Sequence, residues 1–402
     1  MNTETAQSWG GAGGDKPAVK PSLEPILIVS GTRPEIIKLG PLYHVLRQSG
    51  WAQPVWLHTG QHEDMATQML ACFGIEPDRV LHRRGSSLLD FSVGCRQQLD
   101  EALGQRAWSA VIVQGDTESA FQGALAGFYH RVPVAHVEAG LRTYNLHRPF
   151  PEEGLRQMIG RIAQLHLAPT PRAAEALRRE GINAHDIKIT GNTVVDAQLW
   201  ACEHHGIRRR AQGEGHILVT LHRRENWGPD VENICAAIAE IAREFPDLPV
   251  LFPVHLNPVV KEPVHRLLSG LPNVTLIAPM DYLQMQQALA DAWLVLTDSG
   301  GLQEEAPTFR VPLLVLREET ERPEVIDAGC ARLVGADRAL IVDAVRDLRK
   351  NPSAYERMQA AGNPFGDGTA SQQIARRLLH MLRPTDEQAA HDKEREADHV
   401  LA

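Results

Sequence analysis

A short segment at residues 297–305, Thr-Asp-Ser-Gly-Gly-Leu-Gln-Glu-Glu, carries the residue types of an anion-binding turn. The apolar run at 293–296 predicts a buried strand before the Ser-Gly-Gly turn, and the residues after the turn favour a helix. A helix N-terminus offers unpaired backbone N–H groups, and two glycines permit close approach of an anion. Glu304 and Glu305 follow one turn later, where they could accept hydrogen bonds from ribose hydroxyls. The segment predicts a nucleotide diphosphate site without a P-loop lysine; an ordinary serine-capped helix is the alternative.

Length and composition favour a globular protein of two domains. The chain has 402 residues, more than one core of typical size holds, with 43% hydrophobic and 23% charged residues. A formal charge of -9 argues against nucleic acid or an anionic membrane as the main partner. The five cysteines are far apart and form no C-x-x-C pair, which favours a reducing compartment. Because no apolar run reaches membrane-spanning length, a cytoplasmic location is expected.

Short apolar runs alternate with stretches of helical periodicity through two halves of the chain. The runs lie at 26–29, 55–57, 111–113, 132–137, 165–168 and 187–189, and then at 217–221, 250–254, 274–277, 294–296 and 313–316. Continuous apolar strands separated by helices predict an α/β fold with two Rossmann-like, doubly wound domains. Polar residues crowd directly after these runs, where open α/β sheets bind ligands. The predicted domains therefore face a central cleft.

Nine motifs, in this order, resemble the non-hydrolysing UDP-N-acetylglucosamine 2-epimerase family. They lie at 31–35 with Lys38, 136–143, 151–153 with Arg156, 191–196, 222–226, 253–258, 299–305, 320–324 and 363–368. Any one of them is weak, but their joint occurrence from about residue 25 to about residue 383 is specific. The resemblance implies a GT-B-like architecture of two Rossmann-like domains.

Composition, the order of the apolar runs and the resemblance together divide the chain into five parts. These are a disordered N-terminal tail at 1–23, a first domain for the sugar and acid–base groups at 24–200, a UDP-binding second domain at 201–365, a C-terminal helix packing back on the first domain at 366–383, and a charged tail at 384–402.

The implied reaction is reversible inversion of C2, which converts UDP-N-acetylglucosamine (UDP-GlcNAc) into UDP-N-acetylmannosamine (UDP-ManNAc). The family eliminates UDP to give a 2-acetamidoglucal and then adds UDP back. This chemistry needs cations and N–H donors at the diphosphate and acid–base groups on both faces of the sugar. Neither metal nor cofactor is implied. A homodimer serving cell-surface polysaccharide synthesis is expected from the resemblance.

The resemblance supplies candidate residues for these tasks. The catalytic candidates are Asp116, Glu138, Glu152 and His222. The candidates for binding UDP and substrate are Arg33, Lys38, Arg156, His255, Met285, Ser299, Gly300, Gly301, Glu305 and Arg322. Carboxylates gathered in a shielded cleft should raise at least one pKa, but the residue that deprotonates C2 stays open. The structural alternatives are a helix cap at Asp116, Glu138 paired with Arg142, and Glu152 paired with Arg156.

The chain departs from the family pattern at Gln114, Leu155 and Met285, and most clearly after Gln61. Related bacterial enzymes bind a second UDP-GlcNAc near this point as an activator. Here His62 precedes the acidic pair Glu63 and Asp64, and this pair changes the charge presented to such an effector. Weakened activation, or a modified UDP-N-acetylhexosamine substrate, is therefore expected.

Three other functions are compatible with the same architecture. A GT-B glycosyltransferase would bind a UDP-sugar but also need an acceptor site. A hydrolysing 2-epimerase would release free N-acetylmannosamine and UDP. A UDP-sugar sensor would keep the phosphate ligands and tolerate loss of the three carboxylates.

Overall fold

The structure, a computed structural model, describes residues 22–61, 63–209, 215–223 and 226–384, without the side chains of 63–65. The predicted tails at 1–23 and 384–402 lie outside the described residues, apart from Ser22, Leu23 and Pro384. In the described part of the chain, no helix is both long and apolar enough to cross a membrane.

The first lobe is built on a sheet of seven parallel strands in the spatial order β3-β2-β1-β4-β5-β6-β7. Its strands are β1 (Glu24–Ser30), β2 (Ala52–His58), β3 (Arg79–Val80), β4 (Ala110–Gln114), β5 (Val134–Val137), β6 (Leu165–Ala168) and β7 (Ile187–Ile189). Its helices are α1 (Arg33–Gln48), α2 (Glu63–Cys72), α3 (Leu88–Gly104), α4 (Glu118–Tyr129), α5 (Glu152–Ile162), α6 (Pro171–Arg179) and α7 (Thr193–His205), with a 3-10 turn at Ala184–Asp186.

The second lobe repeats this plan on six parallel strands in the order β10-β9-β8-β11-β12-β13. Its strands are β8 (His216–Thr220), β9 (Val250–Pro253), β10 (Val274–Ile277), β11 (Ala292–Thr297), β12 (Leu313–Val315) and β13 (Ala331–Leu333). Its helices are α8 (Pro229–Glu244), α9 (Pro258–Leu268), α10 (Tyr282–Ala290), α11 (Gly300–Glu305), α12 (Pro323–Asp327), α13 (Arg338–Lys350) and α14 (Pro352–Ala360), with a 3-10 helix at Ala306–Phe309. The final helix is α15 (Ala370–Leu382).

The predicted α/β class with two Rossmann-like domains is confirmed. The apolar runs fall on strands of the two sheets, and two further strands, β3 and β13, were not predicted. These two strands have two and three residues and lie at sheet edges, so neither gives a continuous apolar run.

Each sheet reverses its strand order once, between β1 and β4 in the first lobe and between β8 and β11 in the second. Loops that leave neighbouring strands in opposite directions open a crevice at such a switch point, and ligands of doubly wound folds bind there. Each lobe thus has one such crevice at its switch point.

The helix α7 connects the lobes and packs between them. It contacts α1 and α15 on one side and α10 and α11 on the other. Its buried Val194, Ala197 and Ala201 belong to an apolar cluster that reaches both sheets, including Ile26 and Val295. The continuous core fixes the lobes relative to each other, and α15 adds to it by packing on α1 and α7.

Candidate active site

A cleft of about 670 Å³ lies between the two switch points. Its walls come from the loops after β1, β4, β8 and β11, and from α1, α10 and the loop before α12. The predicted residues that line it are Arg33, Lys38, Asp116, His222, Met285, Ser299, Gly301, Glu305 and Arg322. Residues from both halves of the sequence are therefore gathered around one space.

Other predicted residues do not line this cavity. Glu138 and Arg156 lie behind it, because each contacts a lining residue, Lys38 and Asp116 respectively. Glu152 is half-buried at the start of α5, and its charge helps to raise the pKa of Asp116.

The remaining predicted positions are Gly300, His255 and those of the effector site. Gly300 begins α11 beside the lining residue Ser299, and His255 follows β9, where its Nδ1 accepts a hydrogen bond of 3.1 Å from the N–H of Asn257. In the predicted effector site, Gln61 accepts hydrogen bonds from Ser119, whereas His62 lies outside the described residues and only the backbone of Asp64 is described.

A chain of alternating charges crosses the cleft from one lobe to the other. Lys38 Nζ on α1 lies 2.5 Å from Glu138 Oε1 and 3.0 Å from Glu304 Oε2 on α11. Glu304 also pairs with Arg322. Lys38 and Glu304 expose only 12% and 2% of their side chains, so this contact between the lobes is shielded from water.

Lys38, Glu304 and Arg322 are held in their ionised forms by the charges around them. Burial opposes the charge of Lys38, but Glu138 and Glu304 outweigh it and raise the lysine pKa. Burial likewise opposes the charge of Glu304, and Lys38 and Arg322 lower the pKa of that carboxyl. Arg322 has a raised pKa because Glu304 and Glu138 more than offset its burial. Cations near the expected diphosphate are thus kept charged by buried carboxylates.

Glu138 is held in an unusual backbone conformation at the end of β5. Its φ is 62°, the left-handed region that non-glycine residues seldom adopt. Its carboxylate accepts hydrogen bonds from Gln114 and, at 3.1 Å, from Asn192 Nδ2, in addition to Lys38. Three donors on one carboxylate fix its orientation beside the cleft.

Asp116 is the first-lobe carboxylate that lines the cavity. Burial raises its pKa to about 6, against the lowering effect of Arg156, and the charges of Glu138 and Glu152 raise it further. Arg156 Nε lies 3.5 Å from Asp116 Oδ2 and 3.1 Å from Glu153 Oε2. A carboxyl group with such a pKa can both accept and return a proton near neutral pH.

His222 is oriented by a carboxylate that belongs to the opposite side of the same switch point. Asp298 Oδ1, after β11, lies 3.0 Å from His222 Nδ1. Asp298 also accepts the backbone N–H groups of His222 and Arg223 and the side-chain amide of Asn226. Burial raises the Asp298 pKa, but the His222 contacts outweigh it and the net pKa is lowered. The ring is thus held by Nδ1, which leaves Nε2 for a ligand in the cleft.

The Ser-Gly-Gly turn and Glu305 form the second-lobe end of the cleft. Ser299 caps α11, with its Oγ accepting the N–H of Leu302 at 3.4 Å. Burial raises the pKa of Glu305 to about 7, although a hydrogen bond from Gln286 lowers it. Asp298 and Ser299 follow a strand as expected. Both glutamates line the cavity, and they differ because Glu304 is held in ion pairs with Lys38 and Arg322 while Glu305 accepts a hydrogen bond from Gln286.

The helix cap and the two ion pairs considered above as structural alternatives for Asp116, Glu138 and Glu152 are not the ones that the structure forms. Arg142 pairs with Glu180, at 2.7 Å, instead of Glu138. Arg156 pairs with Asp116 and Glu153 instead of Glu152. Thr117, not Asp116, caps α4.

Several residues that shape the site were missed by sequence reasoning. They are Glu35, Glu153, Asn192 and Asp298, and all four are buried. Glu35 accepts hydrogen bonds from the Gly31–Thr32 loop and from Thr117, so it joins the loops after β1 and β4. Each stands inside a recognised motif or next to a predicted residue. Their places in the motifs were visible in the sequence, whereas partners such as Thr117 for Glu35 and His222 for Asp298 lie far away along the chain and could not be read from it.

Comparison with known proteins identifies the family. The sequence model of UDP-N-acetylglucosamine 2-epimerase matches residues 44–379. The UDP-N-acetylglucosamine 2-epimerase of Yersinia pestis is 45% identical over 367 residues, covering 88% of this chain and 98% of that protein. The enzyme of the same name from Escherichia coli K12 is 42% identical, with the same coverage.

A solved structure agrees with the sequence relatives. The crystal structure of UDP-GlcNAc 2-epimerase from Neisseria meningitidis bound to UDP-GlcNAc superposes with a TM-score of 0.80 at 38% identity, covering 88% of this chain and 99% of that one. The GT-B-like arrangement of two facing Rossmann-like lobes is shared with such structures. The resemblance that the motifs indicated is confirmed, and the chain belongs to the UDP-N-acetylglucosamine 2-epimerase family.

Proposed function

We propose that this protein interconverts UDP-GlcNAc and UDP-ManNAc by elimination and re-addition of UDP. The observation that carries the proposal is the cleft itself, where cations of both lobes and the carboxyl group of Asp116 face one space. Relatives named for this activity, and a neighbour bound to UDP-GlcNAc, support it.

The second lobe takes the nucleotide in this proposal. Glu305 accepts hydrogen bonds from the ribose, Met285 packs against the uracil, and the Ser299–Gly301 backbone N–H groups meet the diphosphate. Arg33, His222 and Arg322 supply positive charge or hydrogen-bond donors to the same group. Stabilising the UDP anion in this way lowers the barrier to breaking the C1–O bond.

Proton transfer is assigned to the first lobe. A base removes the C2 proton as the C1–O bond to UDP breaks, which leaves a C1–C2 double bond. UDP then adds back to C1 while C2 receives a proton on the opposite face. We assign one of these proton transfers to Asp116, because it lines the cleft and has a pKa of about 6. Glu138 and Glu152 remain candidates for the other face.

Incubation of UDP-GlcNAc with the enzyme in D2O tests this reaction. We expect deuterium at C2 of the intact nucleotide sugar in both epimers, measured by NMR and mass spectrometry. The non-hydrolysing assignment requires that UDP return to the glucal. Free N-acetylmannosamine with UDP would show the hydrolysing reaction instead, and binding without exchange would favour a glycosyltransferase or a sensor.

Effector activation is expected to be weak in this protein. Glu63 and Asp64 place acidic residues where related enzymes carry Arg followed by Glu or Gln, so an anionic second UDP-GlcNAc would meet less positive charge. Starting from UDP-ManNAc alone, we expect turnover with little lag and little stimulation by trace UDP-GlcNAc. A long lag abolished by trace UDP-GlcNAc, or a sigmoidal response, would contradict this expectation.

We further propose a cytoplasmic homodimer that supplies cell-surface polysaccharide synthesis. All five cysteines are unpaired, as expected in a reducing compartment. The outer face of α3 and α4 exposes Leu89, Val93, Phe128 and Tyr129, which a second copy could cover. Sedimentation equilibrium that gave the mass of a single chain would exclude the dimer.

A further inference from the structure

A chain of hydrogen-bonded side chains runs behind the cleft and ends on Glu305. Asn363 Nδ2 donates to Thr308 Oγ1 at 3.0 Å, and Thr308 donates to Gln198 Oε1 at 2.7 Å. Gln198 Nε2 donates to Gln286 Oε1 at 2.7 Å, and Gln286 Nε2 donates to Glu305 Oε2 at 2.7 Å. Gln198 and Gln286 are fully buried. We call these four residues, Asn363, Thr308, Gln198 and Gln286, the amide chain.

The direction of the amide chain is set by one backbone group. The N–H of Phe365 donates to Asn363 Oδ1 at 2.9 Å, and a backbone N–H cannot act as an acceptor. Asn363 must therefore turn its NH2 group toward Thr308, because the reverse orientation would oppose two donors at Phe365 N–H. The Thr308 hydroxyl accepts this NH2 group and donates its own proton to Gln198 Oε1, and the two later amides donate in the same sense. The amide of Gln286 consequently presents its NH2 group to Glu305, and Glu305 Oε2 must accept.

The amide chain joins four separate parts of the fold. Gln198 lies on α7, Gln286 on α10 and Thr308 in the 3-10 helix after α11, while Asn363 belongs to the Asn-Pro-Phe-Gly motif that precedes α15. The proposed chemistry gives that motif no role. Through the chain it becomes the fixed end of the support for Glu305.

The same residue, Phe365, also supports the Glu138 carboxylate of the first lobe. Phe365 O accepts the N–H of Asn192 at 2.7 Å. Asn192 Oδ1 accepts the N–H of Val194, so its Nδ2 must face Glu138, which it reaches at 3.1 Å. Gly191 allows this close approach, because it has a φ of 84° and an added Cβ would lie 3.0 Å from Phe365 O.

We propose that the amide chain, with Gln198 and Asn363 as positioning residues, fixes Glu305 as a hydrogen-bond acceptor for the ribose hydroxyls of the UDP-sugar, an inference that rests on the proposed function. Burial favours the protonated carboxyl, which would present a donor to the ribose. The NH2 group of Gln286 opposes this by requiring a lone pair on Oε2. A directional chain anchored at a peptide N–H therefore selects the acceptor form at the far end.

The test is the Gln198→Glu variant, with binding of UDP, 2′-deoxy-UDP and 3′-deoxy-UDP measured by calorimetry at pH 8. A carboxylate at 198 can only accept, so the amide of Gln286 turns its NH2 toward residue 198 and its carbonyl toward Glu305. We expect UDP affinity to fall by about 10- to 100-fold, the scale of one hydrogen bond to a charged group. The deoxy analogue that lacks the recognised hydroxyl should lose much less, so the UDP-to-deoxy-UDP affinity ratio falls toward one.

Gln198→Met is the matched control, since it keeps the side-chain length without a donor or an acceptor. Gln286 can then keep its NH2 group toward Glu305, and the affinity ratio should stay near that of the wild type. A merely structural role for Gln198 would lower all three affinities together in both variants and leave the ratio unchanged, which would overturn the proposal. If Gln198→Glu does not fold, Thr308→Val removes the hydroxyl that holds Gln198 Oε1. Gln198, unlike a methionine at this position, is then free to turn its carbonyl toward Gln286 and draw the Gln286 NH2 group away from Glu305, so the same ratio should fall.

Glu305→Gln, measured in parallel, separates this inference from the proposed function. If it lowers the ratio while the Gln198 and Thr308 variants do not, the amide chain has no positioning role and the ribose site stands. If Glu305→Gln leaves the ratio unchanged, the ribose assignment itself fails and takes the amide chain with it. If the wild type does not bind UDP, the proposed function fails.

Discussion

Replacing Asp116 by asparagine is expected to lower the epimerisation rate about 1000-fold, the typical contribution of a positioned acid–base group. Asparagine keeps the shape of the side chain in the cleft but cannot take a proton from C2 or return one. UDP is bound mainly by other residues in the proposed function, so its Kd should change less than about threefold. The measurements are kcat for UDP-GlcNAc, C2 deuterium exchange, and UDP calorimetry.

The pH dependence gives this prediction a second readout. Burial raises the pKa of Asp116 to about 6, so the carboxylate predominates above that pH and the acid below it. If Asp116 is the base, the wild-type rate should fall as the pH drops through about 6, and the residual activity of the variant should lack this limb. Asp100→Asn on the exposed face of α3 is the matched control and should behave as wild type. Full C2 exchange in Asp116→Asn would remove Asp116 from the mechanism.

Replacing Lys38 by methionine should lower the free energy of unfolding strongly and remove the epimerase activity. The lysine lies between the carboxylates of Glu138 and Glu304, and methionine leaves two buried negative charges without their shared cation. Breaking a buried ion pair on one side typically costs about 3–5 kcal/mol, and we expect a loss of this size in the free energy of unfolding at pH 8. Urea unfolding and the epimerase assay measure the two effects.

The sign of the pH effect follows from the carboxylates that remain. Burial opposes the charge of Glu304, and Lys38 is one of the two cations that lower its pKa, so loss of Lys38 raises the folded-state pKa of Glu304. The cost of burying its charge is present above the raised pKa and is relieved as the pH falls through it. The difference in the free energy of unfolding between Lys38→Met and the wild type should therefore be smaller at pH 5.5 than at pH 8.

Lys38→Arg, which keeps the charge, should recover most of the stability. A loss below about 1 kcal/mol for Lys38→Met, or a loss of equal size at both pH values, would show that the charge chain across the cleft does not hold the lobes together.

Much of the fold could be predicted from the sequence because its signals are local. The runs at 26–29 and 294–296 are apolar over the length of a buried strand, and the polar turns that follow them belong at the carboxyl ends of parallel strands. Strand, turn and helix are encoded within about ten neighbouring residues at each such place. The same local segments form the motifs through which the family could be recognised.

The partners of the charged and amide side chains could not be predicted in this way. Glu138 has Arg142 four residues away, yet it pairs with Lys38, which is 100 positions distant, while Arg142 takes Glu180. By charge alone, many cations could pair with many carboxylates. The actual partner depends on which strands are neighbours and which groups are buried.

What the sequence determined by itself was the class of the fold, the loops that carry chemistry and the family. Only the tertiary structure decided that Asp116 lines the cleft, that Glu304 pairs with Lys38 and Arg322, and that Gln286 donates to Glu305. The physical reason is the separation along the sequence of the residues that interact. Strand and turn preferences act between near neighbours, whereas burial and hydrogen-bond direction arise only when distant segments exclude water together.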